Sequence, residues 1–434
     1  MSKSFKLAIP IASLLVSVHG TAAYAENGIV ELRMATSLTS NTDKHGLDRV
    51  TTSTTQNRNL DVLTKKPSSE TMPRWIAVSL KDQSLKLYQG LEVIEHSNIS
   101  SGKSGHATPT GIFSILGKKK FHKSNIYSNA PMPFMQRLTW SGIALHESNS
   151  VPSYPASHGC VRLPNGFAKK LYGQTKHGIH VIISPEEVVP KWVSHPSLFQ
   201  SNKSDINLAA LRTSIADYDG DADDKLKTSK AKPLRIYVTR ATKWDEVFYV
   251  QSQLYDLGYT FSEPDGLYGK MSIAAVKRFQ SANSLKRTGT ITDELLDTLK
   301  VQSGSKIVPK AKLFIRRDKQ PIYETQITLS DPQKPLGSHL LMMSENSSGE
   351  SNWFSISMSS KIPNHIIRDH GLEKAYRNTR VFANVNETLD RIVLPDDART
   401  FIEARLEGGA SFAISDNGIG TETGDGTDFI VQTH

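Results

Sequence analysis

One cysteine in 434 residues, Cys160, means that no intramolecular disulfide can staple this chain. Whatever it folds into must be held by apolar cores and backbone hydrogen bonds. A chain of this length exceeds one ordinary core and predicts two to four domains. The cysteine stands in Ser157-His158-Gly159-Cys160-Val161-Arg162, directly behind a histidine and a glycine. Upstream, the apolar run Ile143-Ala144-Leu145 reads as a buried strand that delivers His146 at its end. A nucleophile and a base are therefore both available.

The N-terminus bears on what a lone thiol means. Lys3 and Lys6 precede an apolar stretch from Leu7 to Val18, and Ala23-Tyr24-Ala25 supplies a small-x-small cleavage pattern. Residues 1–25 are thus expected to be a secretory signal peptide cleaved after Ala25. The apolar run is short of the ~20 residues that span a bilayer, and no other segment is long enough, so no transmembrane segment is expected after cleavage. In an exported chain Cys160 is free or pairs with another molecule. The formal net charge of +9 is mild for this length, and no Lys/Arg-rich run is interleaved with aromatics, so nucleic acid is not an expected partner.

Beyond the signal peptide, residues 26–73 are polar, with little periodicity, and read as a flexible leader. Trp75–Leu80, Ser84–Tyr88 and Leu91–Ile94 predict a β-meander. A loop ending in Thr108-Pro109-Thr110-Gly111 feeds a strand at Ile112–Leu116, and the proline-broken Ala130–Met135 fits a loop lining a cleft. After Cys160, Asn165 is placed to cap a short helix carrying Phe167, Leu171 and Tyr172, and Ile179–Ile183 predicts the closing strand, with His180 as a packed strand residue.

The string Ser157 to Arg162, the upstream His146 and Thr108-Pro109-Thr110-Gly111 together resemble the L,D-transpeptidase (YkuD-like) catalytic domain over about residues 75–185. The resemblance implies Cys160 as nucleophile and His146 as its acid-base partner. Two positions differ: Glu147 stands where many members have glycine, and Arg162 where many have asparagine. The residues suit the chemistry in their own right. A thiol with its ordinary pKa of ~8.5 is only a few per cent thiolate at neutral pH, and an imidazolium beside it would favour the ionised form. Gly159 lets the backbone approach closely, so its amide and that of Cys160 are candidate oxyanion donors, while the planar guanidinium of Arg162 suits a substrate carboxylate. Ser157 and His158 are grouped with Gly159 and Arg162 as oxyanion or substrate-binding residues. His146, His158 and Cys160 lack the wider set of spaced ligands a metal site declares, so neither a metal nor any other cofactor is expected.

Residues 186–243 are expected as a linker, acidic around Asp217, Asp219, Asp221, Asp223 and Asp224. In the calcium-loop register from Asp217, Ala222 stands where glycine is required and Thr228 where glutamate is required, which excludes an EF-hand. Residues 244–300 show helical periodicity twice, around Val247-Val250-Leu254-Leu257 and Ile273-Val276-Phe279, separated by a turn at Asp265–Gly269. Gln253-Leu254, Leu257-Gly258-Tyr259, Asp265-Gly266, Tyr268-Gly269, Ala275-Val276, Phe279-Gln280 and Gly289 resemble the type 1 peptidoglycan-binding domain. From residue 310 to 434 the chain reads as β-rich, and Lys312-Leu313-Phe314-Ile315 through Pro335–Leu340 faintly echoes Leu85–Tyr88 through Pro109–Phe113.

The expected fold is therefore α+β and multidomain: a β-rich catalytic domain at 74–185, a small helical module at 244–300 and a β-rich C-terminal region without an assigned role. The resemblance implies a periplasmic enzyme that opens peptidoglycan stem peptides at Cys160, releases a terminal D-alanine and passes the acyl group to an amine. That amine would lie on another stem or on an outer-membrane protein. Water as acceptor would make a carboxypeptidase, and loss of activity would leave a peptidoglycan-binding structural protein.

Overall fold

Short apolar runs set up the first sheet. Arg74–Ser79 (β1), Ser84–Gln89 (β2) and Glu92–Asn98 (β3) form an antiparallel meander, turning through Gln83 and Gly90, both at positive φ. The chain continues through Gly111–Ser114 (β4), Gly117–Lys119 (β5), Met135–Arg137 (β6), Ala144–Glu147 (β7), Val161–Leu163 (β8), the helix Asn165–Gln174 (α1) and His180–Ser184 (β9). Strand β9 lies parallel to β1 and antiparallel to β4, giving the order β4-β9-β1-β2-β3, while β5-β6-β7-β8 make a separate small sheet. Helix α1 starts one residue earlier than expected: Pro164 occupies the cap position, no side chain caps the helix, and Asn165 is its first residue.

The computed structural model describes residues 72–124, 129–201, 232–305, 308–424 and 426–433. The expected signal peptide, all but the end of the leader, and Asp217 to Asp224 lie outside the described residues.

The second half contains Lys191–Val193 (β10), Arg235–Arg240 (β11), the helices Lys243–Asp256 (α2), Lys270–Ala282 (α3) and Asp293–Ser303 (α4), then Ala311–Arg317 (β12), Gln320–Leu329 (β13), Ser338–Glu345 (β14) and Ser351–Met358 (β15). It ends with Ser360–Lys361 (β16), Asn364–Asp369 (α5), Arg380–Val381 (β17), Val385–Arg391 (α6), Ile392–Val393 (β18), Asp396–Glu403 (α7), Ser411–Ser415 (β19) and Val431–Gln432 (β20). An eight-stranded sheet runs β10-β15-β14-β19-β11-β12-β13-β18. The segment 186–243, expected as a linker, therefore contributes two of its strands. The reason is that Ile236 and Val238 of β11 face one core while Tyr237 faces another, so this strand is apolar on both sides.

The helical module has three helices where periodicity predicted two. Leu295, Leu296 and Leu299 of α4 close the core formed by Val250, Leu254, Val276 and Phe279. Thr242 and Asp245 make a reciprocal capping box at the start of α2, Thr292 caps α4, and Gly304 ends α4 in the left-handed conformation at φ 67°.

The two large sheets share one topology. In the first, β1 pairs antiparallel with β2, β2 with β3, β9 runs parallel to β1, and β4 runs antiparallel to β9. In the second, β11, β12, β13, β19 and β14 repeat those relations strand for strand. A register shift falls in the corresponding pair each time, at Leu87/Tyr88 and at Ile315/Arg316. The approach to the last strand matches as well. Val161-Arg162-Leu163-Pro164 leads into α1, and Ile392-Val393-Leu394-Pro395 leads into α7. In this correspondence Arg391 takes the place of Cys160. Its guanidinium is spent on the carbonyls of Ser330, Lys334 and Pro335, which fills the position with structure. The helical module occupies the β11–β12 turn, where β1 and β2 are joined only by Leu80–Gln83.

The sheets pack face to face. Trp75, Ala77, Ile112 and Ile182 from the first meet Tyr237, Leu340, Phe354, Ile356 and Ala413 from the second in one buried cluster. His180, expected as a packed strand residue, is buried and bonds Ser411 Oγ at 3.0 Å. The chain's end then joins the first sheet: β20 pairs with β4, and Thr110 Oγ1 donates to the Thr433 carbonyl. Gly111, with φ 153°, has no room for a Cβ because the Val431 carbonyl lies against it. Fully burying each large apolar side chain contributes about 1.5–3 kcal/mol before the entropy of ordering it is counted, so exposing several of them at once is large beside the net stability of a typical domain, about 5–15 kcal/mol.

Cutting the chain after Gln200 would expose Trp75, Ile112 and Ile182 and remove β20, so that fragment is expected to lack a cooperative thermal transition by circular dichroism. Excising residues 241–310 and joining Arg240 to Ala311, which are register partners, through Asn-Gly should retain one. A cooperative melt of the fragment ending at Gln200 would count against the seam as a folding requirement.

Candidate active site

The reactive residues are gathered by the pleat of the small sheet. Strand β7 runs parallel to β8 with Leu145 opposite Val161 and His146 opposite Arg162, and β6 places Arg137 opposite Ala144. Because side chains alternate, Leu145, Val161 and Leu163 enter the core with Leu171 of α1. Arg137, Ala144, His146 and Arg162 are left on the opposite face. Cys160, one residue before β8, shares that face and packs on Met132, Met135 and Ala144.

The loop that carries Cys160 is held by two hydroxyls. Ser157 Oγ donates to the Cys160 carbonyl at 2.5 Å and accepts from the Gly159 amide at 3.1 Å. Thr108 Oγ1 donates to the Gly159 carbonyl at 2.7 Å and accepts from the Gly102 amide at 2.8 Å. Gly159 has φ 111°, a conformation that favours glycine, and a Cβ there would lie 2.9 Å from Ile143 Cδ1, so the end of that side chain would have to shift. The Gly159 amide, expected as an oxyanion donor, is engaged by Ser157, and Ser157 shapes the loop. His158 is exposed, its ring centroid 4.7 Å from that of His106.

Neither reactive group carries charge at rest. Burial drives the His146 pKa down to about 4; the hydrogen bond to the Glu147 carbonyl opposes this and the charge of Arg162 adds to it. Burial also pushes the Cys160 thiol up, more than the Ala144 backbone contact and the cations Arg137 and Arg162 pull it down. At pH 7 such a histidine is about one part in a thousand imidazolium, and such a thiol is less ionised than a free one. Burial thus disfavours charge on each group, where the sequence suggested an imidazolium beside a thiolate. His146 Nδ1 lies 2.6 Å from the Glu147 carbonyl, which can only accept, so Nδ1 carries the proton and Nε2 keeps the lone pair. The thiol itself donates to the Gly142 carbonyl at 3.4 Å.

Arg137 and Gly142 were not singled out from the sequence, and only the pairing of β6 with β7 brings them here. Met132 and Met135, from the loop expected to line a cleft, border a small cavity with His122, Arg137, Gly142 and Ala144. Among the described residues, no group of three or more His, Cys, Asp or Glu is placed to hold a metal ion, and no helix is long and apolar enough to cross a membrane.

Solved structures similar to this chain include L,D-transpeptidases from Mycobacterium smegmatis (21% identity, TM-score 0.24), Xylanimonas cellulosilytica (27%, 0.25) and Stackebrandtia nassauensis (26%, 0.25). The matches cover 26%, 26% and 29% of this chain and 58%, 61% and 62% of theirs. No curated protein matches. The family model of the L,D-transpeptidase catalytic domain matches residues 73–183, and that of the type 1 peptidoglycan binding domain matches residues 245–299. By those two matches, the chain carries a YkuD-family L,D-transpeptidase catalytic domain and a peptidoglycan-binding domain.

Proposed function

We propose that the protein is an exported cysteine L,D-transpeptidase that works on peptidoglycan stem peptides in the periplasm, with Cys160 as nucleophile and His146 as general base and acid. The single observation that carries this reading is the placement of Cys160 and His146 on one face of the small sheet, inside a domain of the matching family. His146 Nε2 takes the thiol proton as Sγ attacks the stem-peptide carbonyl. The tetrahedral intermediate collapses with transfer of that proton to the departing D-alanine nitrogen, leaving a thioester. An acceptor amine, on another stem or on an outer-membrane protein, then attacks the thioester carbonyl and returns the thiol. With Gly159 engaged, the Cys160 amide is the donor this loop offers to the oxyanion. Arg162, in register with His146, and Arg137, across β7, suit the carboxylates of an anionic stem peptide. The signal-peptide pattern read in residues 1–25 supports export, and the module in the β11–β12 turn would hold the enzyme to the wall.

Cys160→Ser should lose both acyl-enzyme and transfer on a tetrapeptide-stem muropeptide, because a serine hydroxyl is far less acidic and less nucleophilic than a thiol. Intact-mass spectrometry and product analysis read both, and retained turnover would exclude the assignment.

The acid limb of kcat/KM should fall near pH 4, since protonating His146 below that value removes the base. Thiol alkylation should climb only above the pH at which a free thiol ionises, and equally in wild type and His146→Ala, because burial raises the thiol and a neutral imidazole does not stabilise a thiolate. An alkylation profile shifted upward in His146→Ala would point to an ion pair instead.

In the 241–310 excision variant, turnover on small soluble muropeptides should persist while pelleting with intact sacculi drops, as expected when a tether only raises local substrate concentration. Undiminished pelleting would reduce the module to a spacer.

A further inference from the structure

The hairpin between β6 and β7 meets the nucleophile loop at two points. Its Gly142 carbonyl accepts from Cys160 Sγ at 3.4 Å, and Ile143 fills the space beside Gly159. The hairpin is tightly closed, with Leu138 N donating to the Ile143 carbonyl at 2.8 Å and Ile143 N to Thr139 Oγ1 at 3.0 Å. Its outer amides, those of Trp140 and Ser141, both donate to one carboxylate oxygen, Glu422 Oε2, the second at 3.2 Å. Glu422 comes from the far end of the chain, in the loop between β19 and β20.

That loop is fastened to the second sheet. Tyr237 OH donates to the Gly418 carbonyl at 2.7 Å, Gly418 N donates to Thr239 Oγ1 at 3.0 Å, and Arg316 Nη1 donates to the carbonyls of Gly424 at 2.9 Å and Thr427 at 2.7 Å. Within the loop, Ile430 N donates to Thr423 Oγ1 at 2.9 Å. We infer that Glu422 is a positioning residue of the active site: its carboxylate pins the Thr139–Gly142 turn, and through the Gly142 carbonyl the non-catalytic sheet sets the orientation of the Cys160 thiol. A carbonyl that accepts from a thiol favours the protonated form, so the contact holds Sγ aimed and neutral until substrate arrives. The second sheet, which has an arginine in place of a nucleophile, then acts on the reaction without touching substrate.

The transfer arm of the test rests on the proposed transpeptidase reading, and the alkylation arm does not. Glu422→Ala and Glu422→Gln would be compared with wild type in the full chain by iodoacetamide alkylation of Cys160 across pH 6–10, by kcat and KM on a tetrapeptide-stem muropeptide, and by thermal melting. For Glu422→Ala the alkylation midpoint should move to lower pH and alkylation at pH 7 should quicken severalfold. Its kcat should fall roughly 10- to 100-fold with little change in KM, the scale expected when a reacting group is misplaced by about 1 Å. Glu422→Gln keeps an oxygen acceptor for both amides and should return towards wild type in each readout. An unchanged alkylation profile in Glu422→Ala would overturn the inference, whatever happens to turnover or melting. So would a Glu422→Gln variant as impaired as Glu422→Ala, which would assign the effect to charge alone. If alkylation responds as expected while neither variant nor wild type transfers any acyl group, the positioning role stands and the transpeptidase reading fails.

Discussion

The apolar seam between the two large sheets is the constraint on which the rest of the structure depends. The central strands of the first sheet carry apolar side chains on both faces: Ile76 and Val78 point towards α1 and the small sheet, and Trp75 and Ala77 point towards the second sheet. A strand of this kind is stable only when both faces are covered. The second sheet supplies that cover with Tyr237, Leu340, Phe354 and Ile356, and the chain beyond β19 returns to add β20 as the first sheet's sixth strand. The family-matched segment 73–183 is thus one face of a larger two-sheet body.

The second sheet repeats the topology of the first but not its chemistry. Where the first has a thiol at the entry to its last parallel connection, the second has Arg391, fully occupied by three carbonyls. Nearby, Asp416 accepts from Arg240 Nε at 2.6 Å and from the amides of Leu336 and Gly337, a buried pair whose remaining lone pairs are satisfied. Removing one partner of such a pair typically costs about 3–5 kcal/mol, so these residues hold the second sheet rigid. Rigidity there matters because the same sheet carries the helical module in one of its turns, and the chain leaves its strand β19 to reach β20 at the edge of the first sheet.

Chemistry at Cys160 follows from burial more than from charge. Two cations, Arg137 and Arg162, act on the thiol, yet desolvation outweighs them, and the same desolvation keeps His146 neutral. A thiol held in its protonated form resists oxidation, because the thiolate is the species that oxidants attack.

From the sequence alone, the strands at 74–98, the closing strand near 180, Cys160 and His146 as the residues to single out and the helical nature of 244–300 were legible, because each is a local pattern of period, turn or motif. The echo of Leu85–Phe113 in Lys312–Leu340 was visible too, although only strand pairing turns it into a repeated sheet. What the tertiary structure alone decided lies in contacts between residues far apart in the chain: β10 and β11 as sheet strands, Arg391 at the nucleophile's place, the Gly159 amide taken by Ser157, the neutral state of His146 and Cys160, and Glu422 on the β6–β7 turn. None of these follows from a local window. Burial, register and the course of the last strand are properties of the packed whole, and they determine which amide is available, which group is charged and which turn is held.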